Sequence, residues 1–364
     1  MNKLQGFLGT LVLALSITCI ALIITVSKLN QTPEDVPLGE ITQKERQTSS
    51  EPEPEISIEY DSEPVAESEA EPEPEPETQL KEWENNVRLP EHLVPLHYDL
   101  YLHPNLETGL FTGQVTIHIE ATKTSDYLLV HTKDLDITHT ELKNSAGSLV
   151  PIQSTFEFHK NEFWVVQPEF ALPSGNYSLG LEFNGNLTKG ITGFYKSVYS
   201  NAKGEKVAIA TSKFQPTYAR KAFPCFDEPS FKSTFSVTLV RPTIGYIALS
   251  NMPVENESES SPVPGLTAVK FQKSVPMVTY LACFIVCDFE YEEKLTSIHN
   301  TKFRVYATPE QSTRVKYALD IGANITDFFT DYYDIPYPLP KQDMIAIPDF
   351  VSGAMEHWGL ITYR

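Results

Sequence analysis

Two segments of the sequence place charged and polar side chains, which could bind a ligand, beside small, apolar or aromatic neighbours. The first runs from Thr211 to Ser230 and reads Thr-Ser-Lys-Phe-Gln-Pro-Thr-Tyr-Ala-Arg-Lys-Ala-Phe-Pro-Cys-Phe-Asp-Glu-Pro-Ser. The second runs from Ile347 to Arg364 and contains Gly-Ala-Met-Glu-His. A carboxylate fixed among small residues suits the recognition of an ammonium group, because a charge-assisted hydrogen bond is roughly twice as strong as a neutral one.

A pattern for a catalytic metal is not found in the sequence. Zinc peptidases commonly carry H-E-x-x-H on a helix, with a glutamate between the histidines as general base. No two of the nine histidines are four residues apart, and His92 and His97 have no glutamate between them. Cys283 and Cys287 would lie roughly 13 Å apart in an extended strand, beyond the reach of a disulfide. We therefore expect these residues to form no zinc site, and we expect no peptide hydrolysis by this chain alone.

Together, the two segments resemble the M1 family of zinc aminopeptidases, and the resemblance extends from about Leu89 to Arg364. The string Gly-Ala-Met-Glu-His is similar to the family's exopeptidase signature Gly-Ala-Met-Glu-Asn, with His357 in the last place. The resemblance implies an enzyme that removes N-terminal amino acids from peptides with a free N-terminus. It also implies zinc as the cofactor of the full-length protein.

The resemblance also implies roles for individual residues. Glu356 takes the position of the family's amine-binding glutamate, and Gln215 matches a second amine-binding position. Gly353 and Ala354 would lie along the substrate backbone, where small side chains allow a close approach. Met355 would supply a soft apolar wall near the first substrate side chain. Without the resemblance, this glutamate would be interpreted as an ordinary surface residue.

Two positions depart from the family pattern. His357 replaces an amide by an imidazole, which could make substrate positioning dependent on pH. Lys213 stands where many relatives carry Gln, beside the pocket for the first side chain, and predicts a preference for acidic N-terminal residues. The string Phe-Pro-Cys-Phe-Asp-Glu-Pro is interpreted as structural, with Arg220 and Asp227 as an ion pair and Cys225 as a small packing residue.

Most of the chain after Trp83 has the pattern of short β-strands. Val115, Ile117 and Ile119 alternate with polar residues, which places three apolar side chains on one face. Many short strands at this spacing predict an antiparallel saddle or sandwich of about 200 residues. Further strands are predicted at Tyr127–His131, Phe163–Val166, Tyr177–Phe183, Val207–Thr211, Phe231–Val240, Tyr246–Ser250, Ala268–Gln272 and Tyr280–Val286.

The spacing of the apolar residues then changes from every second residue to every third or fourth, which marks a second domain that mixes helix and strand. Thr308 is the expected N-cap and Pro309 the first residue of a helix of about 25 residues. Strands are expected on either side, at Phe303–Ala307 and Met344–Ile347. The resemblance implies that this is the beginning of a thermolysin-like α+β catalytic domain. The apolar stripe of the helix contains Val315, Leu319, Gly322, Ile325, Phe329 and Tyr332.

The N-terminal region has the pattern of a membrane anchor. Phe7 to Val26 is an uncharged run between Lys3 and Lys28, long enough to cross a hydrocarbon core of about 30 Å. A cleaved signal peptide would have a shorter apolar region followed by small residues. We therefore predict a signal-anchor that contacts the lipid bilayer through residues 7–26 and leaves residues 1–6 in the cytoplasm.

An acidic segment rich in Pro and Glu follows the predicted anchor. Between Asn30 and Glu84 the net charge is −15, out of −20 for the whole chain. Self-repulsion and proline predict a disordered stalk over residues 27–82. No stretch is basic enough to follow a phosphate backbone, which excludes nucleic acid as a partner.

Glycosylation sequons suggest where the body of the chain resides. Four of them follow the predicted anchor, which suits the luminal or extracellular part of a single-pass type II membrane protein. These four are at Asn176, Asn186, Asn256 and Asn324, whereas a fifth match, at Asn30, lies only a few residues from the predicted anchor and is expected to be unused.

The predicted organisation ends with two folded parts, a β-rich aminopeptidase N-terminal domain at 83–298 and the beginning of the catalytic domain at 299–364. We favour the N-terminal part of an active, membrane-bound zinc aminopeptidase. One alternative is a truncated isoform that acts as a non-catalytic peptide-binding or dominant-negative module. Another is a full-length pseudoenzyme, for which His357 is the only hint. A homodimer is a further possibility.

Overall fold

The computed structural model describes residues 81–187, 190–259 and 263–364. The predicted anchor at 7–26 and nearly all of the predicted stalk lie outside these residues. Within the described ranges, none of the helices combines the length and the apolar character needed to cross a bilayer.

The described part of the chain is built mainly from β-strands, as the alternation of apolar residues predicts. One α-helix, α1 (Lys316–Tyr333), lies near the C-terminus. The strands are β1 (Leu93–Asn105), β2 (Leu110–Ala121), β3 (Leu128–His131), β4 (Asp136–Asn144), β5 (Ile152–Phe158), β6 (Phe163–Pro168), β7 (Gly175–Asn186), β8 (Gly193–Ser200), β9 (Lys206–Lys213), β10 (Thr234–Pro242), β11 (Ile247–Ser250), β12 (Val254–Glu259), β13 (Leu266–Phe271), β14 (Phe284–Cys287), β15 (Glu290–Leu295), β16 (Lys302–Ala307), β17 (Lys341–Ala346), β18 (Ala354–Met355) and β19 (Leu360–Tyr363).

Three sheets form the β-rich part. The largest has the strand order β12-β13-β10-β1-β2-β7-β4, and only its β1–β10 pair is parallel. A second sheet has the order β11-β14-β9-β8, and a third has β3-β6-β5. In β2, Phe111, Val115 and Ile117 are buried, whereas Thr112 and Gln114 between them are exposed. This alternation is the reason why the segment can cover a core with one face and meet solvent with the other.

The fourth sheet belongs to the C-terminal part and is mixed. Its order is β15-β16-β17-β19-β18, with parallel pairing of β16 with β17 and of β17 with β19. Its first strand, β15, begins at Glu290 and pairs with β16. Sequence patterning missed β15, whose residues are mostly exposed and include three glutamates. Such a strand lacks the apolar face on which the prediction depends.

The helix α1 is shorter than predicted and begins later. A turn and a short 3₁₀ segment, Ser312–Arg314, separate the expected N-cap Thr308 from Lys316. The first half of the apolar stripe packs on the sheet, with Val315 and Leu319 buried against Phe303 and Val305 of β16. The second half is exposed and lines an open apolar groove of about 700 Å³ beside β16, β17 and β19. The predicted helical spacing of apolar residues was therefore correct, but within the described residues the sheet covers only half of the stripe.

The Phe-Pro-Cys-Phe-Asp-Glu-Pro string is structural, as expected. The Phe223 ring packs edge-on against Tyr98 and Phe235, which are stacked with centroids 4.7 Å apart. The buried guanidinium of Arg220 donates from Nε to Asp227 Oδ2 over 3.0 Å, which confirms the predicted ion pair. The cysteines of the described residues, Cys225, Cys283 and Cys287, are all buried and unpaired, as predicted for the last two. This string therefore fixes the core of the β-rich part.

Candidate functional site

The two segments singled out in the sequence, 211–230 and 347–364, meet in the folded structure. The first reaches the site at the end of β9, where Lys213 is followed by Phe214 and Gln215. The second forms a loop from Asp349 to Gly359, which contains the short strand β18 and which we call the 349–359 loop. Lys213 Nζ lies 3.2 Å from Gln215 Oε1 and 3.4 Å from Met355 Sδ, so the Lys213 side chain contacts a residue of each segment.

Glu356 lies on the open side of this contact. Its side chain is exposed, whereas its neighbours Met355 and His357 are buried. Burial lowers the pKa of Lys213, and the negative charge of Glu356 partly opposes that effect by raising it. The carboxylate is therefore near enough to the Lys213 ammonium to act on it electrostatically, yet it remains accessible to a ligand from solvent.

The residues before Met355 leave space beside the backbone. Gly353 and Ala354 are exposed, and a Cβ added at Gly353 would meet no atom within 4 Å. The carbonyl of Gly353 accepts a hydrogen bond from the Arg364 amide over 3.1 Å, which holds this part of the loop against the end of β19. A peptide backbone could approach this edge without displacing a side chain.

The side chain of His357 lies in the interior and not on the open face. It is fully buried, and its Nδ1 lies 3.3 Å from Thr362 Oγ1. Its Nε2 has no hydrogen-bond partner among the described residues. Burial, assisted by the nearby Lys213 charge, lowers the pKa of His357 to about 3. The imidazole is therefore neutral near pH 7, and the pH-dependent positioning expected of this residue has no basis in that range.

Burial of His357 does predict a pH dependence of stability. The folded-state pKa of about 3 is below the ordinary value of 6.5, so the unfolded chain takes up this proton first as the pH falls. His357 therefore lowers the free energy of unfolding by up to about 1.4 kcal/mol per pH unit between pH 6 and 4. We expect the free energy of unfolding of H357N, measured by urea titration at several pH values, to depend less on pH by this amount. At pH 8 the imidazole is neutral in both the folded and the unfolded chain. The difference in the free energy of unfolding between wild type and H357N at that pH therefore measures packing alone. An unchanged slope below pH 6 would contradict the burial of a neutral imidazole.

The 349–359 loop is anchored to the β-rich part at its beginning. The Asp349 carboxylate accepts hydrogen bonds from Ser197 Oγ over 2.9 Å and from the Val198 amide over 3.1 Å. The Tyr195 hydroxyl donates to the Asp349 carbonyl over 2.8 Å. All three partners are on β8, so one strand fixes the entry to the loop.

A second anchor holds the end of the loop. The ammonium of Lys341, on β17, donates to the Ser250 carbonyl over 2.7 Å and to the Gly359 carbonyl over 2.8 Å. It also pairs with Asp343 over 2.6 Å, and both charged side chains are almost completely buried. Its three N–H donors therefore have three oxygen acceptors, which is what a buried ammonium requires.

Asn251 completes this second anchor. Its Nδ2 donates to the carbonyls of Trp358 and Leu281, each over 2.8 Å. Gly359 has φ of 76°, and a Cβ there would lie 2.3 Å from the Asn251 carbonyl oxygen. Only glycine fits this position, because both the backbone angle and the close approach exclude a side chain.

Sequence reasoning missed Asp349, Lys341 and Asn251. The predicted strand began only at Met344, whereas β17 begins at Lys341 and so places Lys341 and Asp343, two residues apart, on the same face. Nothing in the sequence shows that this face is buried, or that a carbonyl from a distant loop completes the coordination of the ammonium. The partners of all three residues are distant in the sequence, so only the tertiary structure reveals these contacts.

The described residues do not fit a zinc site. They contain no group of three or more His, Cys, Asp or Glu side chains placed to hold a metal ion.

The chain is similar to known proteins over most of its length. A model of the peptidase M1 N-terminal domain matches residues 94–281, and a model of the peptidase family M1 domain matches residues 317–364. Endoplasmic reticulum aminopeptidase 1 of Homo sapiens is 41% identical over 283 residues, which are 77% of this chain and 30% of the relative. Glutamyl aminopeptidase of Sus scrofa is 43% identical over 282 residues, 76% of this chain and 29% of the relative. The chain thus spans less than a third of the length of these relatives.

Proposed function

The chain belongs to peptidase family M1, and from that premise we propose that it is the substrate-recognising N-terminal part of a zinc aminopeptidase. In this proposal the full-length protein removes N-terminal amino acids from peptides. Glu356 binds the α-ammonium group of the substrate, and Gln215 is a second acceptor. Zinc would supply the polarised water in the full-length protein, held by residues outside this sequence.

The observation that carries the proposal is the meeting of two distant segments at one open face. Gln215 and Met355 share a contact with Lys213 Nζ, and the exposed Glu356 carboxylate follows directly in the same loop. A carboxylate and an amide oxygen are both acceptors, so together they match the donors of an ammonium. The open edge at Gly353 supports a substrate backbone that runs beside the loop.

The two anchors of the 349–359 loop support the same proposal. An aminopeptidase must place the first peptide bond at a fixed distance from the ammonium-binding group, because small misplacements reduce rates strongly. Asp349 and Lys341 tie the loop at its beginning and its end. We propose that these anchors hold Glu356 in place for the substrate.

The test is hydrolysis by the full-length protein expressed with zinc. It should cleave amino-acid 7-amido-4-methylcoumarin amides, lose this activity with a chelator, and regain it on addition of zinc. N-acetylated versions of the same amides should not be cleaved, because they carry no ammonium. Equal cleavage of free and acetylated amides would contradict amine recognition. Binding without cleavage would favour the non-catalytic peptide-binding module.

We also propose a type II membrane protein with a luminal or extracellular body, anchored through residues 7–26. The described sequon residues support accessibility, because Asn176, Asn256 and Asn324 are exposed and Asn186 is partly exposed. We expect digestion with an N-glycosidase to lower the apparent mass of the protein made in mammalian cells. Replacing each asparagine by glutamine should remove one increment at a time. A mass unaffected by the glycosidase would contradict this orientation. The homodimer stays a prediction.

A further inference from the structure

The ammonium of Lys213 is buried with few partners. The residue is 3% exposed, and its three N–H donors have a single oxygen acceptor, Gln215 Oε1, besides the weakly accepting Met355 sulfur. Among the described residues no carboxylate lies within ion-pair distance of it, whereas the buried Lys341 has three oxygen acceptors. A buried ammonium with so little compensation is costly, and a carboxylate ligand would complete its coordination.

Lys213 also interferes with the proposed amine site. Its Nζ already donates to Gln215 Oε1, the oxygen that would accept from the substrate α-ammonium. A second ammonium at the same oxygen would stand only a few ångströms from the first, and like charges at that distance repel each other. Glu356 provides the nearby negative charge, and His357 is neutral near pH 7, so neither residue adds a further cation.

From this arrangement we propose that Lys213 selects substrates with an acidic first residue, whose side-chain carboxylate draws the lysine ammonium away from Gln215. The carboxylate then pairs with Lys213, and the released Gln215 oxygen accepts from the substrate α-ammonium. A neutral first residue leaves the lysine on Gln215 and meets its repulsion. A basic first residue adds a third cation and binds worst. This inference rests on the proposed function, because it requires the α-ammonium to bind at Glu356 and Gln215.

The inference is tested with three amides that differ in the charge of the first residue. We would measure kcat/KM of the full-length protein for the Glu, Ala and Lys 7-amido-4-methylcoumarin amides. Wild type should prefer Glu to Ala by at least about 10-fold, with Lys below Ala, since one charge-assisted bond has about this value. K213Q should lower the value for Glu and raise the values for Ala and Lys, so that the preference disappears.

The matched control is K206Q. Lys206 is at the other end of β9, is exposed, and bonds to Ser200 Oγ over 2.9 Å, away from the 349–359 loop. This variant removes one lysine from the same strand without touching the site, so the Glu-to-Ala ratio should stay at the wild-type value. A loss of the ratio in both variants would mean that net charge, and not Lys213, determines the preference.

A binding measurement separates this inference from the proposed function. The α-amides of L-glutamate and L-alanine carry the ammonium and the side chain but need no hydrolysis. Calorimetry should give tighter binding of the glutamate amide to wild type and a difference abolished in K213Q. If no amide is cleaved but this binding difference is found, the proposed activity is wrong and the role of Lys213 holds. Cleavage or binding with the same Glu-to-Ala ratio in wild type and K213Q would overturn the inference.

Discussion

Replacing Glu356 by glutamine is expected to lower kcat/KM of the full-length protein for its best aminoacyl amide by about 10- to 150-fold, the range of one hydrogen bond to a charged group. The change keeps the shape of the side chain and its oxygen acceptor but removes the charge that attracts the substrate ammonium. The exposed position means that packing is little affected. The free energy of unfolding should therefore stay within about 0.5 kcal/mol of wild type.

The control for this substitution is E292Q. Glu292 is also an exposed glutamate and lies on β15, outside the site. It should leave kcat/KM unchanged, which excludes a general effect of losing one negative charge. If E356Q retained wild-type kcat/KM, or if E292Q lowered it equally, Glu356 could not be the ammonium-binding group.

Replacing Lys341 by methionine is expected to cause the largest loss of stability among the substitutions considered. Methionine has a similar length but leaves the Asp343 carboxylate, which is 1% exposed, without its cation. Removing one member of a buried pair costs about 3–5 kcal/mol, because the remaining charge is buried and uncompensated. Urea denaturation of the chain followed by fluorescence should show this as a lower midpoint with an unchanged slope.

Two further variants identify the cause of that loss. K294M removes a lysine from a partly exposed pair with Asp320, at 2.9 Å, and should cost no more than about 1 kcal/mol. In the double variant K341M/D343L no unpaired charge remains, so most of the lost stability should return. If K341M cost no more than K294M, the buried pair would not be what holds the end of the 349–359 loop.

Local pattern predicted much of the fold and failed where burial decides the structure. The alternation in β2 correctly predicted a strand, because its apolar residues recur at the spacing of one buried strand face. The string that contains Phe223 was correctly predicted to be structural, because its aromatic side chain packs in the core. The exposed strand β15 was missed, since its side chains have no apolar face to reveal. The sequence predicts that α1 begins at Pro309 with Thr308 as its N-cap, because a capping residue followed by proline is a good local signal. The chain instead makes a turn and a 3₁₀ segment there.

The candidate site divides in the same way between local motif and tertiary contact. The Gly-Ala-Met-Glu string led to Glu356 because its residues are consecutive in the sequence. The contact of Lys213 with Gln215 was not predictable, because both were expected to face a substrate and not each other. The interior position of His357 was also missed, since nothing local shows which side of the loop is buried. Lys341 satisfies its donors through carbonyls of two distant segments, which only the folded chain brings together.

The most direct test of the central claim is a crystal structure of the full-length protein with a bound glutamate hydroxamate. We expect the α-nitrogen of this ligand about 3 Å from a carboxylate oxygen of Glu356, which is the distance of a charge-assisted hydrogen bond. An α-nitrogen bound elsewhere, with no oxygen of Glu356 within about 4 Å, would contradict the assignment of this chain as the amine-recognising part of an aminopeptidase.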